Sequence, residues 1–166
     1  MNGKSRIDMS KKTPDQWFNE YGDSHQNKTN KLIHWICVPL IFLVILGLVW
    51  AIPVPAAFSE IHPYLNWATL AFLFIAVFYI RLSPKLAIGL IIFSLSCYGI
   101  IAWYESLQVA SLALTCTVLF VILWILQFIG HNIEGKKPSF FKDVQFLMIG
   151  PAWLMGFIYR RLGLSY

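Results

Sequence analysis

Charge is what this sequence has least of: Asp, Glu, Lys and Arg make up 13% of it against 58% hydrophobic residues, where soluble domains average roughly a quarter charged and half apolar. That excludes an ordinary water-soluble domain and points to a membrane protein. At 166 residues it is one domain, too short to carry a soluble enzyme domain beside its membrane spans. Cysteine is scarce as well, and Cys37, Cys97 and Cys116 all lie inside apolar runs. Neither a disulfide framework nor a CxxC metal site is expected, and each cysteine reads as a small apolar residue. No basic cluster exists: the net charge of +5 is spread over the connections between hydrophobic runs, so no nucleic-acid partner is expected. The polar, mixed-charge first thirty residues lack the apolar core of a signal peptide, and the first hydrophobic segment is expected to stay as structure. Histidine occurs only four times, too few for the clustered boxes of the membrane di-iron desaturases and hydroxylases.

What the chain does contain is long charge-free runs. Residues 1–12 read as a disordered basic leader, with a single membrane-embedded domain over residues 13–166. Thr13-Pro14-Asp15-Gln16 has the form of a helix start, with Thr13 as N-cap, Pro14 at the first helical position and Gln16 closing a capping box. Trp17, Phe18 and Tyr21 then form an aromatic face suited to the membrane interface, and Gly22 ends the helix. Four apolar runs follow, at 32–52, 64–80, 86–104 and 107–130, close to the ~20 residues that a spanning helix needs. Pro53 and Pro55 end the first, Ser83-Pro84 separates the second from the third, and Glu105-Ser106 alone separates the third from the fourth. A last apolar segment, Val144 to Tyr159, is broken by Gly150-Pro151 and reads as a re-entrant or interfacial helical pair packed on the bundle. The fold class is therefore all-α: a polytopic bundle of four transmembrane helices, an N-terminal interfacial helix and a C-terminal re-entrant or interfacial segment.

The thirteen Lys and Arg residues fall before the first apolar run, in the connection from Arg81 to Lys85 and in the tail, while the first and third connections carry only Glu60 and Glu105. By the positive-inside rule both termini face the cytoplasm, and a crossing of the tail would strand Arg160 and Arg161 on the wrong side. This topology sorts the histidines. His25, His34 and His131 fall on the cytoplasmic face and His62 alone on the other, leaving a candidate site of His25, His34, His131 and Glu134.

An ionisable cluster at the mouth of an apolar helix costs several kcal/mol unless it is paired, metal-bound or wetted, which makes it a candidate functional site. His131 and Glu134 are three apart and share a face if the helix continues that far. Each cytoplasmic histidine also has a polar residue four positions earlier, Tyr21, Asn30 and Gln127 respectively. Side chains so placed suit the orientation of an imidazole that binds a metal. Lys136 and Lys137 read as topological anchors, and Trp35, Trp50, Trp67, Trp103, Trp124 and Trp153 as interfacial belt and packing. Several His and carboxylate ligands with open positions suit non-haem iron, and zinc accepts the same atoms. Two other readings stand beside a metal enzyme: a haem-binding electron carrier with His34 and His131 as axial ligands, and a non-catalytic scaffold or lipid-binding protein with structural histidines.

Tyr21-x3-His25 and Asn30-Lys31-x2-His34, running into an apolar span with Pro39-Leu40, are paired with Gln127-Phe128-Ile129-Gly130-His131 followed by Glu134-Gly135 and Pro138. In these motifs, and across nearly the whole chain, the sequence resembles the small membrane proteins typified by the fungal 2-hydroxy-fatty-acid dioxygenase of the endoplasmic reticulum. The resemblance implies a dioxygenase that uses ferrous iron, Fe(2+), to shorten a 2-hydroxy fatty acid by one carbon in α-oxidation, with O2 as co-substrate and membrane lipid as surroundings. Carried over by position, it implies His25, His34 and His131 as metal ligands or essential site residues, with Glu134 as a further candidate; Asn30 and Gln127, four positions before His34 and His131, are expected beside Glu134 as catalytic neighbours. The implied setting is a bacterial inner membrane or the endoplasmic reticulum.

Overall fold

A computed structural model describes residues 12–62, 65–137 and 145–166. The leader before Lys12, and Tyr64, Pro138 and Val144 at the edges of expected segments, lie outside the described residues. Among the described residues there are seven helices and no strand: α1 (Pro14–Gly22), α2 (Lys28–Trp50), α3 (Ala56–Ile61), α4 (Trp67–Leu82), α5 (Pro84–Leu107), α6 (Leu112–Glu134) and α7 (Phe146–Arg161).

The helix starts are written locally. Thr13 and Gln16 form the expected capping box, with Gln16 N–H donating to Thr13 Oγ1 at 3.3 Å and Thr13 N–H to Gln16 Oε1 at 2.8 Å. Asn27 caps α2 through bonds from Thr29 and Asn30 N–H, so this helix begins four residues before the apolar run does. Ser83 ends α4 and caps α5, with Pro84 in the first turn where its missing N–H has no helical partner to lose. Gly135, at φ 71°, takes the left-handed conformation that closes α6.

Helices α2, α5 and α6 are long and apolar enough to cross a membrane, and α4, at 16 residues, is a shorter apolar helix. Their outer faces carry aliphatic stripes at helical spacing, such as Ile88, Ile92 and Leu95 on α5 and Leu114, Val118, Val121 and Ile125 on α6, all at least half exposed. Stripes of that extent face hydrocarbon, not water. Helix α2 is central and packs against α4, α5, α6 and α7.

Three expectations change. The break between the third and fourth runs is not at Glu105-Ser106: α5 continues to Leu107, Ser106 Oγ donates to the Trp103 carbonyl within the helix, and the turn is made by Gln108 at φ 49° and the cap Ser111. A lone carboxylate near a helix end reaches water without ending the helix. Nor does Gly150-Pro151 split the tail, since α7 runs unbroken through Pro151 at the loss of one backbone bond. Finally, the aromatic face of α1 is not free for the membrane interface. Phe18 and Tyr21 are buried, Trp17 stands edge-on to Phe146, and Tyr21 packs on Trp153 of α7. Gly150 permits this closeness: a Cβ there would lie 3.0 Å from Tyr21 Oη and 3.2 Å from Val38.

Candidate metal centre

Three separate pieces of chain deliver the histidines. His25 sits in the turn between α1 and α2, His34 in the second turn of α2, and His131 in the last turn of α6. Their ring centroids are 4.2 Å (His25–His34), 5.0 Å (His25–His131) and 4.8 Å (His34–His131) apart. They are 1%, 0% and 4% exposed, shielded from bulk water. The α2–α6 approach is close here, where a Cβ on Gly130 would stand 2.5 Å from Asn30 Oδ1. Only glycine beside His131 lets the two helices come this close.

The proton positions follow from the hydrogen bonds. His25 Nδ1 lies 2.6 Å from the Tyr21 carbonyl and His34 Nδ1 lies 2.9 Å from the Asn30 carbonyl. A carbonyl only accepts, so each Nδ1 carries the proton and each Nε2 presents a lone pair inward. Burial, reinforced by the neighbouring His34 and His131, pushes the His25 pKa down to about 3 against the pull of the Tyr21 carbonyl and Glu134. His25 is thus neutral near pH 7, the state in which imidazole binds a metal.

Three buried ring nitrogens, Nε2 of His25, Nε2 of His34 and Nδ1 of His131, lack a well-formed hydrogen bond to the protein. Each such atom costs about 1–3 kcal/mol. One ring nitrogen from each histidine lies within 4.8 Å of those of the other two, so the group can hold a metal ion. Three ligands bound at ~2.1 Å to one ion lie roughly 3.5 Å apart, inside that bound. The donor set therefore fits a divalent cation. It does not fit a haem held by His34 and His131, because those two rings are nearly in contact and His25 is wedged against both.

The other expected site residues surround this group in ways the spacing did not foretell. The i−4 partners of His25 and His34 are backbone carbonyls, not side chains. Tyr21 contributes its carbonyl because α1 ends at Gly22 and leaves it without a helical donor, and its ring stacks on His25 at 4.3 Å. The Asn30 side chain donates instead to the Ser24 carbonyl and to Glu134 Oε2, both at 3.1 Å. Gln127 is buried on the side of His34, away from the expected pairing with His131. Glu134 is not one of the clustered ligands. Its carboxylate accepts from Gln26 N–H and Asn27 N–H at 2.8 Å each and from Asn30, tying the end of α6 to the turn that carries His25. Lys136 Nζ adds a second tie, donating to the Asp23 carbonyl at 2.6 Å. His62 stands exposed in the α3–α4 connection, away from the group.

Two contributors escaped the sequence reading. Trp153, read only as packing, is 4% exposed with its ring 5.4 Å from that of His25. Ser24 Oγ lies 3.2 Å from His25 Nδ1 and donates to the Tyr21 carbonyl. The small residues Gly150, Ala152 and Gly156 around Trp153 were the available signal, since such residues mark where a membrane helix is closely approached.

A cavity of about 310 Å³ opens from His25, His131 and Gln127 and runs along α2 past Val38, Ile41 and Phe42 to Val49, between α4 and α6. Apart from its histidine end the walls are aliphatic and aromatic. From Val38 to Val49 is ~16 Å at ~1.5 Å per residue, about the depth of one leaflet of a bilayer with a ~30 Å core.

A family model described as Mpo1-like, 2-hydroxy-palmitic acid dioxygenase Mpo1-like, matches residues 12–162. No match is found among curated proteins or among solved structures.

Proposed function

The chain belongs to the Mpo1-like family, and on that premise we propose that it is an Fe(II)-dependent dioxygenase converting a 2-hydroxy fatty acid and O2 into the fatty acid one carbon shorter, CO2 and water. The observation that carries this reading is the convergence of three buried imidazole nitrogens, each without a well-formed hydrogen bond to the protein, at the head of a leaflet-length apolar cavity. The reaction balances without a further reductant: loss of C1 as CO2 from a 2-hydroxy acid is a four-electron oxidation, which is what O2 takes up in becoming water. Neither 2-oxoglutarate nor flavin is required.

Iron, when bound, supplies Lewis acidity for the hydroxyl and carboxylate oxygens of the substrate and a redox-active centre for O2. The chain's own residues set the conditions. His25, His34 and His131 hold the metal, and the Tyr21 and Asn30 carbonyls keep two of these rings in the tautomer that leaves Nε2 free. Glu134 and Asn30 fix the His25 turn, and Gln127 places an amide where the polar head of the substrate meets the cavity. Trp153 and Tyr21 exclude water from one side of His25, and the aliphatic walls take the acyl tail.

The proposed setting is a single membrane-embedded catalytic domain with four spans. Helix α4 completes the set: its 16 residues give ~24 Å, with Trp67 and Arg81 at its ends to anchor it in the two interfaces. Both termini are cytoplasmic, and α7 lies against α1, α2 and α5 without crossing, in a bacterial inner membrane or the endoplasmic reticulum.

The test is elemental analysis of anaerobically purified protein followed by oxygen uptake with 2-hydroxypalmitate. One iron per chain and equal yields of CO2 and pentadecanoate are expected. Absence of iron, or iron-loaded protein that consumes no oxygen with any 2-hydroxy acid, would sink the proposal, the latter leaving a lipid-binding metalloprotein.

A further inference from the structure

The cavity has a far end, lined by Val49 of α2 and Ala71 of α4. Helices α2 and α4 lie so that the last turn of α2 meets the first of α4, with Trp67 Nε1 donating to the Pro53 carbonyl at 3.1 Å. Val49 and Ala71 are therefore at the same depth, remote from His131, and both line the cavity. At this depth, outside the cavity lining, Trp50 packs edge-on to Tyr98 of α5 with ring centroids 4.7 Å apart. Tyr98 Oη lies 3.0 Å from Thr69 Oγ1, which in turn donates to the α4 cap Asn66 at 3.3 Å. Aliphatic walls can give way by changing rotamer. A hydrogen-bonded aromatic tie that joins α2, α4 and α5 holds the spacing of Val49 and Ala71 far more firmly.

We infer that Val49 and Ala71, held in place by the Trp50–Tyr98–Thr69 tie, set the length of acyl chain that the protein accepts. This rests on the proposed function only in taking the occupant to be a single-tailed 2-hydroxy acid with its head at the histidines. A methylene that moves from lipid or detergent into the cavity exchanges one apolar setting for another and changes binding little, whereas one that cannot enter must force the walls apart or bend the tail back and weakens it. Affinity is therefore level with chain length up to the far end of the cavity and falls beyond it. Substitutions at Val49 and Ala71 move that break, while equal changes on the lipid-facing side of α4 do not.

The experiment measures anaerobic binding of 2-hydroxy acids of increasing length to the iron-loaded protein, by native mass spectrometry in detergent. Val49→Phe and Ala71→Phe, which narrow the same end from two helices, should bring the break to shorter chains, and Val49→Ala should carry it to longer ones. Leu73→Phe, on the exposed face of α4, should leave it in place. An enlarging variant that folds keeps the test decisive if the bulky ones do not. The inference is overturned if the break stays put in Val49→Ala and both Phe variants, or if affinity in the unaltered protein does not depend on chain length. Oxygen uptake separates the two readings. A break that moves in a protein that never consumes oxygen leaves the length gauge and removes the enzyme, whereas turnover with an unmoved break does the reverse.

Discussion

Helices α2 and α6 come closest at two places, one near each end of the pair. At the histidine end a Cβ on Gly130 of α6 would stand 2.5 Å from Asn30 Oδ1 of α2; at the opposite end a Cβ on Gly47 of α2 would stand 2.6 Å from Cys116 Sγ of α6. The backbone device is the same, with a glycine on one helix seating a short side chain of the other. What surrounds it differs. Around Gly47 the neighbours are Leu112, Leu46, Val44 and other apolar residues, whereas around Gly130 lie six buried polar side chains, Ser24, His25, Asn30, His34, Gln127 and His131. A membrane helix pair can be closed by packing alone, as the Gly47 end shows, so the polar cluster at the other end is not needed to hold the helices together. Polar burial that packing does not require is the pattern expected of a functional site.

The contrast breaks most completely at the histidines. Replacing His25, His34 or His131 by Ala should weaken iron binding by more than roughly 100-fold, beyond the ~10–100-fold typical of outer partners, and should abolish nearly all oxygen uptake because ligands acting as a unit are not additive. Cys116→Ala at the other end and His62→Ala in the α3–α4 connection should leave both unchanged. Iron retained at full stoichiometry, with oxygen uptake, in both His34→Ala and His131→Ala would end the three-histidine assignment, since each variant has lost one of the three rings.

The two glycines sharpen the comparison with a smaller effect. An added methyl at either position overpacks its contact, at a cost of about 1–3 kcal/mol. Gly130→Ala pushes on Asn30, whose carbonyl holds His34 and whose amide holds the Ser24 carbonyl next to His25. It should lower thermal stability and iron content together. Gly47→Ala should lower stability by a similar amount and leave iron in place. Equal iron loss in both variants would mean that the metal reports global folding, and the two ends would not be distinct.

Much of this division is legible in the sequence, and the illegible part has a common cause. The capping box at Thr13, the break at Ser83-Pro84 and the placing of His25, His34 and His131 at one end all rest on local chemistry or on the count of charges per connection. They reappear in the structure as the α1 start, the α4–α5 junction and the histidine group. The misplaced features depend on what another segment supplies. The face of Phe18 and Tyr21 has the same periodicity whether it meets lipid or α7. Pro151 is tolerated because α7 is packed on its neighbours, which no local rule reports. The i−4 rule found the right residues for His25 and His34 but the wrong atoms, because whether a side chain or its own carbonyl reaches the ring depends on where α1 stops and on what else Asn30 can reach.

Glu134 is the residue on which spacing and geometry part furthest, and its replacement should give the smallest of these effects. Three residues from His131 on the same helix, it has the spacing of a ligand, yet its two oxygens accept from Gln26 N–H, Asn27 N–H and Asn30 Nδ2. Those donors lie at the start of α2, where the helix dipole also favours a negative charge. The geometry makes it a clamp on the His25 turn. In Glu134→Gln one oxygen can still accept from a backbone N–H, but the new NH2 must face a donor, so one bond is lost and the charge that strengthened the others goes with it. Iron affinity should fall roughly tenfold, at the low end of the ~10–100-fold range for outer partners, with the turnover of fully loaded protein little altered. Asp at this position keeps the charge on a shorter arm and should lie between Gln and the unaltered protein. Loss of iron as complete as in His131→Ala would make Glu134 a ligand and overturn the clamp. Unchanged iron affinity in Glu134→Gln would show that the Asn27 cap and the Lys136 bond to the Asp23 carbonyl hold the His25 turn without it.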